Sequence, residues 1–272
     1  MEKTARPKKL PLHKMIPNIL TLAAMGCGMT SIKFAIAERW EMAVLAIVVA
    51  AFMDAFDGAA ARLLKAQSKL GAELDSFSDF VNFGVAPAII VYLWTLDNLP
   101  RWGWPVALVF AMAVALRLAK FNILSDDKDP NDPLSKYFVG VPSPLGAGLA
   151  IFPMIIGFMA DKRNDFESAA LHYLRDPQLI GLWLLVVAGM MVSNFPTLSS
   201  KQIRIPVRMK MPLLAFCGVF IACLINEPWP TLTALAIVYL ISLPFGIAHY
   251  NRKARSLAKG EKDTDHEDGD DD

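Results

Sequence analysis

The chain has 272 residues, of which 54% are hydrophobic and 19% are charged, and its formal net charge is +1. The mean hydropathy is +0.39, and the charged residues gather between apolar runs. This pattern excludes an ordinary soluble domain and indicates an integral membrane protein. We expect membrane lipids as its neighbours and no nucleic-acid partner.

Apolar runs recur along the chain at lengths that suit a bilayer. A helix needs about 20 mostly apolar residues to cross the hydrocarbon core. We therefore predict an all-α, polytopic transmembrane bundle with about eight spans. They cover Met15–Ala37, Met42–Leu64, Phe77–Leu96, Trp104–Leu124, Leu145–Ala160, Leu179–Phe195, Met211–Ile225 and Leu232–Tyr250. An even number of spans places both termini on one side.

The distribution of positive charge selects that side. With both termini inside, six of the 27 lysines and arginines fall outside the inner segments: Lys33, Arg39, Arg101, Lys162, Arg163 and Arg175. The positive-inside rule then predicts cytoplasmic termini in the cytoplasmic membrane. We expect a basic N-terminal segment over 1–14, one membrane domain over 15–250 and a charged, disordered tail over 251–272.

The cysteines give no sign of metal or redox chemistry. Cys27, Cys217 and Cys223 lie in apolar runs without CxxC spacing. We interpret them as small packing residues and predict no disulfide.

Four aspartates stand out against this apolar background. Asp54 and Asp57 are three residues apart near the end of the second span, and Asp75 and Asp79 are four apart at the start of the third. Each spacing places the pair on one helix face. Carboxylates inside a membrane are costly unless they are paired, hydrated or bound to a cation, so they are functional candidates.

A polar turn from Leu64 to Leu70 allows the chain to reverse and bring both aspartate pairs together. Four converging carboxylates repel one another, and hard divalent cations relieve the repulsion. We therefore predict one or two metal ions. The small residues Gly58 and Gly71 leave room for a bulky ligand, and Arg62 offers a guanidinium suited to phosphate oxygens. Together they suggest a pyrophosphate substrate.

These residues resemble the signature of the CDP-alcohol phosphotransferases. Asp57-Gly58-x-x-Ala61-Arg62, eight residues and Gly71-x-x-x-Asp75-x-x-x-Asp79 match it, with Asp54 three places upstream. The resemblance implies that the four aspartates hold a two-metal centre of Mg²⁺ or Mn²⁺ and that CMP is the leaving group. It also implies that Asp79 is the general base, and it suggests a homodimer.

The resemblance also implies contacts with the cytidine diphosphate group. The candidate CDP-binding residues are Asn18, Thr21, Gly58, Ala61, Arg62 and Gly71.

Flanking motifs are similar to those of the phosphatidylserine synthases of this superfamily. They include Pro17-Asn18-x-x-Thr21, the stretch from Arg117 to Asn122 and the stretch from Phe138 to Pro144. The resemblance implies CDP-diacylglycerol and L-serine as substrates. The chain departs from the expected pattern at Lys120, where arginine is expected; a lysine keeps the charge but loses the bidentate geometry.

Serine needs a cation for its carboxylate, and Arg117, Lys120 and Asn122 are candidate acceptor-binding residues. Alternatively, Arg117 and Lys120 are topology-determining charges that reach the interface. Lys201, Arg204 and Arg208 are candidates for lipid phosphate, or they contact anionic headgroups nonspecifically.

Two alternatives remain at the level of the whole function. In the first alternative, the protein is the same kind of transferase but its acceptor is another alcohol, such as glycerol 3-phosphate, inositol phosphate or choline. The second alternative, from a different class, is a carboxylate-lined cation transporter. The spacing of glycines and arginine argues against the transporter, since an ion pathway has no need for Arg62 beside its acids.

Overall fold

A computed structural model describes residues 15–126, 138–139, 141–163, 174–193, 196–197 and 210–244. These residues confirm the predicted all-helical class; the exception is a two-residue antiparallel pairing of Phe138–Val139 with Pro196–Thr197. The helices are α1 Ile16–Ile36, α2 Trp40–Leu63, α3 Lys69–Asp79, α4 Ala86–Trp94, α5 Gly103–Asp126, α6 Ser143–Ala150, α7 Phe152–Arg163, α8 Pro177–Val192, α9 Lys210–Asn226 and α10 Pro228–Pro244.

Helices α1 and α2 form a hairpin, and α1 buries a face of small residues within the bundle. Lipid tails are as apolar as the side chains, so no hydrophobic force drives membrane helices together. Small side chains stabilise their association instead by letting the backbones approach closely. The buried positions of α1 follow alternating steps of four and three residues, which keeps them on one side of the helix. They are Pro17, Thr21, Ala24, Gly28, Ser31 and Ala35.

The predicted reversal between α2 and α3 is present and is built from local hydrogen bonds. At the end of α2 the Lys65 amide donates to the Arg62 carbonyl and the Ala66 amide donates to the Ala61 carbonyl, the Schellman pattern that closes a helix. Lys65 adopts φ 48°. Ser68 then caps α3 by accepting from the Gly71 amide at 3.0 Å. This cap starts the helix at Lys69, earlier than the predicted start of the span at Phe77.

A π-helical turn, Phe80–Val85, joins α3 to α4 directly after Asp79. Pro87 lies in the first turn of α4, where it has no amide hydrogen to give to the preceding turn, and the wider π hydrogen bonding accommodates that loss. Within the π turn, Phe83 is fully buried. Gly84 lies so close to Val114 of α5 that an added Cβ would stand 3.2 Å from it.

The predicted fifth span is not one straight helix. It breaks at Ile151 into α6 and α7, which are bent by 47°. The cause is Pro153, because a helical proline cannot donate to the carbonyl four residues earlier, that of Leu149. The Leu149 carbonyl instead accepts from Trp183 Nε1 at 2.7 Å, so α8 provides the missing donor.

The described helices identify an integral membrane protein. Four runs are long and apolar enough to cross a bilayer, Ile16–Ile36, Trp40–Leu63, Lys69–Trp94 and Gly103–Ile123, and the bent α6–α7 pair makes a fifth if it is one span. Large apolar side chains face outward on these helices, while Asp57 and Asn82 are buried. Apolar side chains on the outside and polar side chains on the inside are the arrangement expected of helices surrounded by lipid. Because α8, α9 and α10 are shorter apolar helices, the count of eight spans stays a prediction.

Candidate active site

Three of the four aspartates meet near the end of α2 and the start of α3. We predict that this end of the two helices faces the cytoplasm. Asp54 and Asp57 lie one turn apart on α2, and the α2–α3 turn brings Asp75 opposite them. One carboxylate oxygen from each of the three residues lies within 4.8 Å of the others. Asp57 is 3% exposed. The predicted convergence of these three side chains is therefore present in the fold.

Asp79 lies one turn beyond Asp75 and ends α3. Its carboxyl group lies beside that of Asp54. Its Oδ1 atom is buried and has no hydrogen-bond partner within the described part of the chain. Asp79 ends α3 immediately before the π turn, so the packing of that turn against α5 fixes its position.

The aspartate group suits a divalent cation. Its ligand atoms are all carboxylate oxygens, the donors that hard cations prefer. Asp57 Oδ2 is buried, and no described residue donates to it. Buried carboxylates without donors are costly, and a bound cation would compensate several of them at once.

A cavity of about 300 Å³ opens beside the aspartates, near the lower limit for pockets that hold small ligands. We call it the donor pocket. All six predicted CDP contacts line it: Asn18, Thr21, Gly58, Ala61, Arg62 and Gly71. The sequence prediction missed Gln67 and the capping residue Ser68, which also line it. The one feature of the sequence that could have predicted them is their position in the polar turn between α2 and α3.

Two glycines of the donor pocket allow close approach. A Cβ on Gly71 would lie 3.0 Å from Asn18 Oδ1 and 3.1 Å from Ser68 Oγ, so this glycine lets α1 and the helix cap converge. A Cβ on Gly58 would stand 3.6 Å from Arg62 Nη1. The Arg62 guanidinium therefore lies over the Gly58 backbone, within the pocket.

A buried polar chain links α1 to the segment that carries Asp79. Asn82 Nδ2 donates to Ser78 Oγ at 3.1 Å, and Ser78 Oγ donates to the Thr21 carbonyl at 3.2 Å. Gly28 leaves the space for Asn82, because an added Cβ would lie 2.0 Å from Asn82 Oδ1. These hydrogen bonds were not predicted, although a polar Asn82 inside an apolar run was a usable sign of them.

The predicted acceptor residues separate in the structure. Arg117 on α5 donates through Nη1 to Ser143 Oγ and interacts electrostatically with Asp79. Lys120 is exposed, and Asn122 donates to Ser76 Oγ at 3.0 Å on an exposed part of α3. Of the three, Arg117 is the one placed beside both Asp79 and the start of α6. Lys201, Arg204 and Arg208 lie outside the described residues.

The three cysteines, all within the described residues, are free. Cys27 Sγ lies 3.7 Å from Met53 Sδ in the α1–α2 contact, in accord with a packing role.

The fold and the site together define an integral membrane protein with a cluster of carboxylates at the α2–α3 reversal, beside a pocket that Arg62 lines. Residues 14–191 match the family described as CDP-alcohol phosphatidyltransferase, and residues 208–244 match CDP-alcohol phosphatidyltransferase 2. The chain belongs to the CDP-alcohol phosphatidyltransferase family.

Relatives with a more specific name are found in several bacteria. The chain is 33% identical over 246 residues to the CDP-diacylglycerol–serine O-phosphatidyltransferase of Mycobacterium tuberculosis, a match covering 90% of this chain and 81% of that protein. It is 30% identical over 231 residues to the protein of that name from Helicobacter pylori, covering 85% and 90%. The Bacillus subtilis protein of that name is 41% identical over 136 residues, covering 50% and 72%.

Proposed function

We propose that this protein transfers the phosphatidyl group of CDP-diacylglycerol to L-serine, forming phosphatidylserine and CMP. The observation that carries the proposal is the convergence of Asp54, Asp57 and Asp75 within 4.8 Å beside the donor pocket. The relatives' names support serine as the acceptor. The family's chemistry supports an enzyme over a transporter.

In this proposal the donor pocket binds the cytidine diphosphate group. Arg62 provides a guanidinium fork that matches phosphate oxygens, and Gly58 and Gly71 let the ligand reach the helix backbones. Asn18, Thr21 and Ala61 form the remaining wall. The guanidinium of Arg62 and the carboxylates of Asp57 and Asp75 both line the pocket, a combination that suits a pyrophosphate bound together with divalent cations.

The four aspartates are the proposed ligands of Mg²⁺ or Mn²⁺, with two ions as the family resemblance suggests. Their all-oxygen donor set and the unpartnered Asp57 Oδ2 support this assignment. When bound, divalent ions neutralise the phosphate charge and polarise the phosphoryl oxygens.

Asp79 is the proposed general base. It lies one turn beyond Asp75, near Arg117, and has a buried, unpartnered Oδ1, which supports it as the acceptor of the proton of the serine hydroxyl. The serine oxygen then forms a bond to the phosphatidyl phosphorus. The bond between that phosphorus and the oxygen of CMP breaks, and CMP leaves with the electron pair.

The acceptor is tested by offering alcohols in turn. Purified protein with CDP-diacylglycerol should release CMP when L-serine is added. Glycerol 3-phosphate, inositol phosphate and choline should release none above the background. CMP release with one of these in place of serine would assign another acceptor, and cation flux without CMP release would favour a transporter.

We also propose eight spans with both termini and the donor pocket on the cytoplasmic side. The charge asymmetry of the loops supports this orientation, with 1–14 as a basic segment, 15–250 as the catalytic domain and 251–272 as the tail. A cysteine introduced between Lys201 and Lys210 should react with a membrane-impermeant reagent only from the cytoplasmic side. Reaction from outside would also remove Lys201, Arg204 and Arg208 from the proposed contact with substrate lipid phosphate.

The proposed homodimer rests on the family resemblance. Native mass spectrometry of the protein released from a lipid nanodisc should give twice the chain mass of 29.9 kDa, and a monomer mass would contradict it.

A further inference from the structure

Three helices that lie far apart in the sequence place polar side chains near one another and near Asp79. Arg117 comes from α5, Ser143 begins α6 and Tyr239 lies on α10. We call these three residues the acceptor cluster. Ser143 is 1% exposed, and its hydroxyl accepts from Arg117 Nη1. The guanidinium is thereby held in one orientation.

Two donors of this cluster are buried without a partner. Arg117 Nε and the Tyr239 hydroxyl have no hydrogen-bond acceptor within the described residues. The Tyr239 phenol and the Arg117 guanidinium lie close enough to interact electrostatically. Buried donors normally have partners, so an unpartnered hydroxyl near a guanidinium that itself has an unpartnered Nε points to an anionic group of a ligand.

The surroundings of the cluster limit what that ligand is. Tyr239 lines an apolar cavity of about 290 Å³ together with Phe83, Pro144 and Leu145. Pro144 and Leu145 directly follow Ser143 in the chain, so this cavity adjoins the cluster. Asp79 is near enough to Arg117 to interact with it electrostatically. A small molecule bound here would therefore be within reach of a carboxylate and of two anion-binding donors.

We propose that Tyr239 is an acceptor-binding residue whose hydroxyl joins Arg117 in binding the carboxylate of the acceptor amino acid, with Ser143 as a positioning residue for the guanidinium. This inference rests on the proposed function, since it assigns a site to the serine acceptor. Bound in this way, the carboxylate receives donors from Arg117 and Tyr239 while the hydroxyl of the same molecule faces Asp79. The cluster thereby selects a carboxylate-bearing alcohol.

The test compares Tyr239→Phe with Tyr92→Phe as a matched control. Tyr92 lies on α4, where its ring packs edge-on against Trp104 at 5.3 Å, outside the acceptor cluster. Loss of one hydrogen bond to a charged group corresponds to about a tenfold change. Tyr239→Phe should therefore raise KM for L-serine about tenfold while KM for CDP-diacylglycerol stays within about twofold. Tyr92→Phe should change neither value.

A second measurement locates the contact at the carboxylate. The ratio of kcat/KM for L-serine to that for L-serinamide should fall about tenfold in Tyr239→Phe, because the amide carries no negative charge. An unchanged ratio would overturn the carboxylate assignment. A raised KM for CDP-diacylglycerol with an unchanged KM for serine would assign Tyr239 to the lipid and also overturn it.

Ser143→Ala gives an independent measurement if Tyr239→Phe does not fold. It should raise KM for serine, and Ser143→Thr, which keeps the hydroxyl, should restore it. Failure of the hydroxyl-bearing variant to restore KM would contradict the positioning role. Wild-type protein that transfers nothing to serine would remove the proposed function itself, whereas an active wild type with a normal Tyr239→Phe variant would remove only this inference.

Discussion

The donor pocket and the acceptor cluster lie near the same group of aspartates but are built in different ways. Most of the pocket comes from the end of α2, the turn after it and the start of α3, so its residues fall close together in the sequence; Asn18 and Thr21 on α1 are the exceptions. The cluster takes one residue each from α5, α6 and α10, with Arg117 and Tyr239 on helices far apart in the chain. A site formed by helical spacing is visible in the sequence, and one formed by packing is not.

The largest expected effect is the loss of turnover when an aspartate beside the donor pocket is replaced. Asp57→Asn removes the buried carboxylate at the centre of the three-residue group, and turnover should fall by at least about a thousandfold as the cation site is lost. The matched control is Glu73→Gln, an exposed acid on α3, which should keep wild-type turnover. CMP release at saturating substrates measures both. Normal activity in Asp57→Asn would remove the proposed metal centre.

The next largest effect is expected at Asp79, which lies near both the other aspartates and Arg117. Asp79→Asn keeps the size of the side chain and one oxygen but removes its basicity, so kcat should fall by about a hundredfold or more. Affinity for CDP-diacylglycerol and for the divalent ion should persist.

Kinetics across a range of Mg²⁺ and Mn²⁺ concentrations distinguish a base from a ligand at Asp79. Activity in Asp79→Asn should stay low at every concentration. If excess cation restores most of the rate, Asp79 is a ligand only and the general-base assignment is wrong.

The four aspartates could be predicted as a group because three- and four-residue spacings place side chains on one helix face whatever surrounds them. The reversal between α2 and α3 was predictable for a similar reason, since its polar residues interrupt two apolar runs. Tyr239 could not be predicted, because an aromatic residue in an apolar run is indistinguishable from a packing residue. The break at Ile151 was missed as well, although Pro153 inside the predicted span was a direct sign of it.

A smaller effect sharpens the comparison by disturbing packing beneath the donor pocket. Gly28→Ala would place a Cβ 2.0 Å from Asn82 Oδ1, so Asn82 must move and its hydrogen bond to Ser78 weakens. Overpacking of this kind costs about 1–3 kcal/mol. The thermal midpoint in detergent should fall.

Gly26→Ala is the control for this substitution, because an added Cβ there meets no atom within 4 Å. It should leave the thermal midpoint unchanged or raise it. Equal midpoints for Gly26→Ala and Gly28→Ala would contradict the described contact between α1 and the π turn.

The smallest effect lies outside both regions, at the α6–α7 break. Trp183→Phe removes the donor to the Leu149 carbonyl and should cost about 1 kcal/mol of stability. In a Pro153→Ala background the same change should cost less, because the alanine amide can donate to that carbonyl. Thermal midpoints of the four proteins form a double-mutant cycle. If the two effects were additive, the Trp183 indole and the backbone amide introduced by Pro153→Ala would not be alternative donors to the Leu149 carbonyl.

The division of the site into two regions is tested most directly by the same substitution in each. Arg62→Gln lies in the donor pocket and Arg117→Gln in the acceptor cluster. KM for CDP-diacylglycerol and KM for L-serine are measured for both variants. We predict that Arg62→Gln raises only the first and Arg117→Gln only the second, each by about tenfold or more. If both variants raised KM for the same substrate, the assignment of one region to the donor and the other to the acceptor would be wrong.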